Sequence, residues 1–431
     1  MQSYRLSSGW KAGIAGAGSM IESGVTISGD NPTPTAGSAA ASVFRSAFRL
    51  GCTAFGGPVA HLGYFQRTYV EQLEWLSTAE FSSIVALCQL LPGPASSQVG
   101  LLIGQHRAGW RGALAAWCGF TLPSACLMLL FALLSSRAHG TAFLAAIHGL
   151  MLTAVAVVAQ ALIGMARRLC PDLRRAAIAL SAAALLLLHG GIESQLLAML
   201  LGAVGGWMLC GSVQPGVAMP RSAISRRAAL CALGIFIGLF FLLAAFGAPR
   251  RHDFIALAAV FYRSGALVFG GGHVVLPLLR DALVPSGWIS DAGFLQGYGF
   301  AQAIPGPLFT LAAYLGAACA PNGLKVAWAG GSVLALFLPG MLLALAAAPL
   351  LELVRARNAW PALAGINAAV VGILAAALYK PVCTTSIGNS ADAAIAAVGA
   401  VLLVRFRMPP VLVAALCVAV SIVLARLRAP A

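Results

Sequence analysis

Residues 88–94 read CQLLPGP, and residues 301–307 read AQAIPGP, 213 positions further on. Each copy follows the same landmarks at nearly the same distance. Phe55-Gly56-Gly57 answers Phe269-Gly270-Gly271, and Trp75-Leu76-Ser77 answers Trp288-Ile289-Ser290. Each PGP interrupts an apolar run long enough to enter a membrane. A duplicated hydrophobic segment broken by Pro and Gly points to the binding site of a membrane transporter.

The rest of the composition agrees. The 431 residues are 60% hydrophobic and only 9% charged. A soluble domain could not bury apolar runs that fill most of the chain beyond residue 40, so the class is an all-α polytopic membrane protein. The formal net charge of +15 does not imply nucleic acid as a partner. The arginines fall in short clusters between apolar segments, as topology signals do, and no polar domain carries a basic face. The ten cysteines stand singly, with neither metal-ligand spacing nor a disulfide framework. No cofactor, metal site or enzymatic constellation is expected. Without GxxxxGK[ST], ATP is not the direct energy source.

Residues 1–40, rich in Ser, Gly, Thr and Pro, read as a disordered cytoplasmic tail rather than a signal peptide. A first repeat occupies 41–212, a basic loop and linker span 213–253, and a second repeat 254–426. Spans are expected at 41–60, 79–106, 113–134, 142–165, 176–188 and 195–210, then the linker at 228–248. The second set is 254–269, 292–320, 326–350, 361–382, 391–404 and 411–424. Segment 79–106 would be about 42 Å long if straight, too long for a core of about 30 Å. It is either two half-helices or a bent hairpin.

With about thirteen spans and a cytoplasmic N-terminus, most loop arginines fall inside, as the positive-inside rule requires. One linker span between two even-numbered halves inverts the second half, giving inverted repeats. Re-entrant hairpins at the broken segments would change that parity.

Candidate site residues come from what the repeats share. Arg49 and Arg263 each stand two residues before a glycine leading into FGG. A membrane-edge arginine can snorkel, but a matched pair facing a cavity suits an oxyanion, to which guanidinium donates two bonds. Phe55-Gly56-Gly57-Pro58 and Phe269-Gly270-Gly271-Gly272 can unwind a helix, or equally let helices pack closely. At Pro92-Gly93-Pro94 and Pro305-Gly306-Pro307 one helix ends and another begins near Ala95 and Leu308. The free amides and positive end of the new helix then face the membrane interior. Ser96, Ser97 and Gln98 follow in one copy and Thr310 in the other. Gln89 and Gln302 precede the two breaks at identical positions. His148, Gln160, Asn367 and Tyr314 read as interhelical glue, and His61 and His273 do not align with each other. No intramembrane Asp/Glu pair suggests a Na⁺ or metal-cation transporter.

With FRLGCTAFGGPVAHLGYF, CQLLPGPASSQVG and FYRSGALVFGGGHVVLPLL in view, the chain resembles the chromate ion transporter (CHR) family, long two-domain type. The likeness covers residues 44–424 and both halves. It implies chromate export and chromate resistance in a cell inner membrane. It also implies that the FGG and PGP residues named above matter, without saying which atoms touch chromate. Chromate and sulfate are both tetrahedral dianions, so sulfate is an expected competitor. Moving two negative charges outward, down an inside-negative potential, releases about 4.6 kcal/mol per 100 mV, a gradient of about 2,000-fold. The alternatives are an oxyanion (sulfate-type) channel and an uptake permease. The lipid bilayer is a partner; a homodimer is compatible with the sequence but not required by it.

Overall fold

The computed structural model describes residues 36–55, 57–135, 141–189, 191–210, 224–246, 253–269, 274–355 and 360–428. The expected tail, and Gly56, Gly270, Gly271 and Gly272 of the FGG motifs, lie outside the described residues.

Every element among the described residues is helical. The first half begins with α1 (Ala36–Thr53) and α2 (Gly57–Phe65), a π-helical stretch (Gln66–Gln72), and α3 (Thr78–Leu90). It continues with α4 (Ala95–Ser135), α5 (Thr141–Leu169), α6 (Leu173–His189) and α7 (Gly191–Leu209). Helix α8 (Arg226–Phe246) leads to α9 (Phe254–Leu267), α10 (Val275–Leu283), α11 (Asp291–Ala303), a 3₁₀ turn (Leu308–Thr310) and α12 (Leu311–Cys319). Then come α13 (Lys325–Arg355), α14 (Trp360–Ala377), a π-helical stretch (Leu378–Cys383) and α15 (Thr384–Ser386). Helices α16 (Ser390–Val404) and α17 (Pro410–Arg428) close the chain.

Helix α4 is two helices joined by a sharp bend. Ala108 and Gly109 leave helical geometry, with Gly109 at φ +59°. We call its arms α4a (95–107) and α4b (110–135). They double back so tightly that Gly104 lies on the backbone of Gly112, leaving no room for a β-carbon on either. Small residues set close helix approach elsewhere too, as expected where lipid removes the hydrophobic drive between helices. Gly202 and Gly206 of α7 meet Gly365 of α14, and Gly372 meets Ala179 of α6.

Among the described residues, six helices are long and apolar enough to cross a membrane. Large apolar side chains such as Leu200, Trp207, Phe241 and Val423 remain exposed, the surface a bilayer would cover. The chain is a multi-pass membrane protein.

Candidate functional site

The two motifs sit at the tips of helical hairpins. In the second half, Tyr314 of α12 donates its hydroxyl to the Gly293 carbonyl of α11 at 3.0 Å, and Cys319 reaches the Trp288 carbonyl at 3.6 Å. Arms α11 and α12 are therefore antiparallel, with PGP at their turn. In the first half, the Arg107 guanidinium lies over the Trp75 ring, 5.5 Å from its centroid, closing the base of the α3–α4a hairpin. The segment 79–106 is thus a bent hairpin rather than one broken span. The helices flanking FGG fold back on each other likewise: Tyr69 bonds with Ser46 of α1, while Val260 and Arg263 of α9 face Leu278 and Ala282 of α10.

Both PGP tips have the same backbone. A residue before proline avoids helical ψ, and Leu91 (ψ 149°) and Ile304 (ψ 154°) are extended. Gly93 and Gly306 follow at φ +117° and +100°, a conformation that costs glycine little and other residues much. Helix α4a then starts at Ala95, and the 3₁₀ turn into α12 at Leu308.

The tips are exchanged between halves. Gly93 donates its N–H to the Val268 carbonyl at 2.7 Å, and Gly306 donates to the Ala54 carbonyl at 2.9 Å. Val268 and Ala54 are the residues immediately before the two FGG phenylalanines. A β-carbon on Gly93 would meet Gly340 of α13, and one on Gly306 would meet Ser124 of α4b. Residues 340 and 124 each follow a proline, Pro339 and Pro123, that touches Gly265 and Gly51 respectively. Each PGP tip is therefore wedged between the residue that precedes FGG and the long helix of the opposite half.

Helix α4b serves as a ruler for these contacts. Near its start Gly112 meets Gly104 of the first PGP hairpin; at Ser124 it meets Gly306; at Phe131 it stacks on Phe300 of the second PGP hairpin, ring centroids 3.9 Å apart. The base of the first hairpin lies at the start of α4b and that of the second toward its end. The hairpins come from opposite ends. The second tip lies at Ser124, about midway along α4b, and His61, beside Ser96 of the first, lies against Phe120 of the same stretch.

The candidate side chains divide around this crossing. Ser96 and Ser97 are buried in the first turn of α4a, and the Ser96 hydroxyl lies 3.4 Å from His61 Nδ1. Gln98 donates to the Pro92 carbonyl at 2.8 Å and to the Gly340 carbonyl at 2.9 Å, bracing the tip against α13. Thr310 is buried, its hydroxyl donated back to the Pro307 carbonyl at 2.8 Å. Gln302 bonds with Tyr298, and its buried Nε2 has no partner among the described residues. Gln89 is exposed and lines a cavity of about 380 Å³ between α2 and α3, with Gln66 and Ser82. Arg49 is exposed on α1. Arg263 is half-buried beside a cavity of about 40 Å³ that it lines with Ser264. Phe55 and Phe269 are half-buried, Phe269 packing on α6, α7 and α14. Among the described residues no Lys or Arg is buried, so the crossing itself is uncharged. Pro58 belongs to α2.

Sequence reasoning leaves two features unassigned. His61 lacks a counterpart in the repeat, which hides its approach to Ser96, and Thr121 lies unmarked in the middle of α4b. His148, read as interhelical glue, does bond across the halves, to Asp392 at 3.0 Å. Gln160 and Tyr314 do bond to neighbouring helices, at the Leu403 and Gly293 carbonyls.

A helical membrane protein built from two repeats, each sending a Pro-Gly-Pro tip into the other, is the class that fold and site define. The sequence profile of the chromate transporter family matches residues 41–207 and 255–422, and the chain belongs to that family. It is 26% identical to the chromate transport protein of Pseudomonas aeruginosa over 349 residues, covering 78% of this chain and 79% of that one. It is also 26% identical to the chromate transport protein of Cupriavidus metallidurans over 376 residues, 83% and 86% of the two chains. A probable chromate transport protein of Synechococcus elongatus matches at 26% identity over 70% of this chain and 74% of its own. No solved structure matches.

Proposed function

We propose that this protein is a secondary carrier that exports chromate across the inner membrane and confers chromate resistance, with sulfate as a competing ligand. The observation that carries the reading is the exchange of PGP tips. Two hairpins arriving from opposite ends put two helix N-termini at one level of the protein, where each helix offers about half a positive charge and free amides. A tetrahedral dianion presents only acceptors, which suits such a place. In this reading the second half is inverted relative to the first. The expected segments at 41–60, 79–106, 254–269 and 292–320 fold back as hairpins, leaving nine crossings of the thirteen. Four segments removed in pairs keep the parity, and the N-terminus stays cytoplasmic.

Arg49 and Arg263 stand five residues before Ala54 and Val268. There they attract the dianion toward the tips by long-range steering without entering the uncharged crossing. Export follows the membrane potential, at about 4.6 kcal/mol per 100 mV for two charges.

Chromate flux into everted vesicles under an imposed potential, with and without sulfate, tests the proposal. Potential-driven chromate uptake inhibited by sulfate is the expected result; no chromate flux above that of vesicles lacking the protein would refute it. Preloaded cold chromate accelerates labelled chromate exchange through a carrier, whereas an open oxyanion channel shows no such counterflow.

A further inference from the structure

The two tip crossings are built on one backbone plan but filled with different chemistry. Residues 54, 93 and 123 correspond to 268, 306 and 339 through the contacts described above. At the same offsets, Ser96 and Ser97 answer Phe309 and Thr310, and His61 answers Val275. On the long helices, Trp117 and Thr121 answer Val333 and Phe337. In the second half Phe309 and Phe337 close on each other, ring centroids 5.6 Å apart, and the Thr310 hydroxyl donates to the Pro307 carbonyl. That crossing is filled by aromatic rings, and the buried polar atoms near it without a partner among the described residues are Gln302 Nε2 and the Ser332 hydroxyl. In the first half the positions of those two rings carry hydroxyls, Ser96 and Thr121. Phe120, which has Leu336 as its counterpart, takes part of the space, its ring edge-on to His61 at 5.2 Å.

The first crossing also holds unpaired polar groups. Ser97 is 2% exposed and Thr121 3%, yet neither hydroxyl has a hydrogen-bond partner among the described residues, and nor does Trp117 Nε1. Trp117 lies one turn before Thr121 on the same face of α4b, and Ser97 lies in the first turn of α4a, whose side chains lean toward the tip. Buried polar groups are nearly always paired, and an orphan costs about 1–3 kcal/mol. The Trp117 ring lies against Phe337, ring centroids 5.8 Å apart, which leaves the two hydroxyls of Ser97 and Thr121 on the first-half side. Both can donate, and a group made of acceptors would satisfy them.

We propose that, of the two helix N-termini brought to one level, the α4a end supplies the side-chain contacts to the oxyanion. Ser97 and Thr121 donate to it together with the free amides opening α4a. His61, through Ser96, orients the edge of the site. The second end adds its dipole but no side-chain donor, since Phe309 and Phe337 pack there and Thr310 is bonded to Pro307. The site is neutral by design: donors and a helix end hold the dianion without a buried cation, so release does not require breaking an ion pair. This rests on the transporter reading above, and it narrows the substrate class to fully deprotonated tetrahedral oxyanions.

The test is equilibrium binding of labelled inorganic sulfate, and of chromate as its competitor, to the full-length protein in lipid nanodiscs. Wild-type protein should bind both. Ser97→Ala and Thr121→Val should each weaken binding about tenfold or more, as expected for a hydrogen bond to a charged group. Thr121→Ser, which keeps the hydroxyl, should stay within about threefold of wild type, and so should Thr310→Val in the second half. Unchanged affinity in Ser97→Ala and Thr121→Val, with wild type still binding, would overturn the assignment while leaving the transporter reading intact. Equal weakening by Thr310→Val would overturn the asymmetry. If wild-type protein binds neither anion, the transporter reading falls and the site with it.

Discussion

Gly93 donates its amide proton to Val268, and Gly306 donates its own to Ala54, at 2.7 and 2.9 Å. These two bonds tie each Pro-Gly-Pro tip to the residue before FGG in the other repeat. They convert a duplicated sequence into one interlocked centre. Both glycines have positive φ and both lie against a helix of the opposite half.

Substitution of either glycine should therefore damage the same centre. Gly93→Ala and Gly306→Ala each face an unfavourable φ, costing about 1–3 kcal/mol, plus overlap with Gly340 or Ser124. Both variants are expected to lose transport and to shift to lower thermal stability by fluorescence-detected size exclusion. Ser124→Gly, which installs the residue found at the matching position 340, should recover part of the loss in Gly306→Ala. It should not help Gly93→Ala.

The hairpins make a labelling prediction. In a cysteine-free background, Glu71→Cys and Arg107→Cys should react with an impermeant thiol reagent from one face of the membrane. Pro285→Cys and Asn322→Cys should react only from the opposite face. Labelling of Glu71→Cys and Arg107→Cys from different faces would mean that the first PGP segment spans.

Arg263 is half-buried beside a small cavity, whereas Arg49 is exposed. Arg263→Ala and Arg49→Ala are both expected to reduce chromate export. If they act by steering, the loss appears as a raised half-saturating concentration that shrinks at high ionic strength. Normal export in either variant removes that arginine from the mechanism.

Asp392 accepts from His148, from the Gly388 amide and from Asn389. Asp392→Ala leaves those donors without a partner and should cost about 3 kcal/mol, read as a lower melting temperature in nanodiscs. Asp392→Asn should cost less, because it keeps an acceptor. His148→Ala should narrow the difference between the two, since one of the three donors is then gone.

Much of this was legible in the sequence because proline and glycine act locally. PGP fixes an extended residue, a left-handed residue and a helix start, and both copies adopt that backbone. Duplication made the halves legible as well. The pairing of tips across halves was not, because a backbone N–H carries no side-chain signature and its acceptor lies far along the chain. The helices flanking FGG were misjudged as parts of crossing spans: length and hydropathy cannot distinguish a helix that passes through from one that turns back. The arginines drew attention by charge, while Thr121 did not, since a hydroxyl in an apolar run is common and matters only once its partners are known.

The reciprocal tip bonds also bear on how the chain is made. Residue 93 leaves the ribosome well before residue 268, and residue 54 long before residue 306. In that interval the first repeat is in the membrane with its Gly93 amide and Ala54 carbonyl unanswered, a costly state in hydrocarbon. The early repeat must wait, loosely assembled or shielded by water or other proteins, until the late one arrives to complete it. The slow, vulnerable phase of biogenesis is thus expected in the middle of synthesis, and a chain cut short in α8 should be cleared by proteases rather than persist as a stable half.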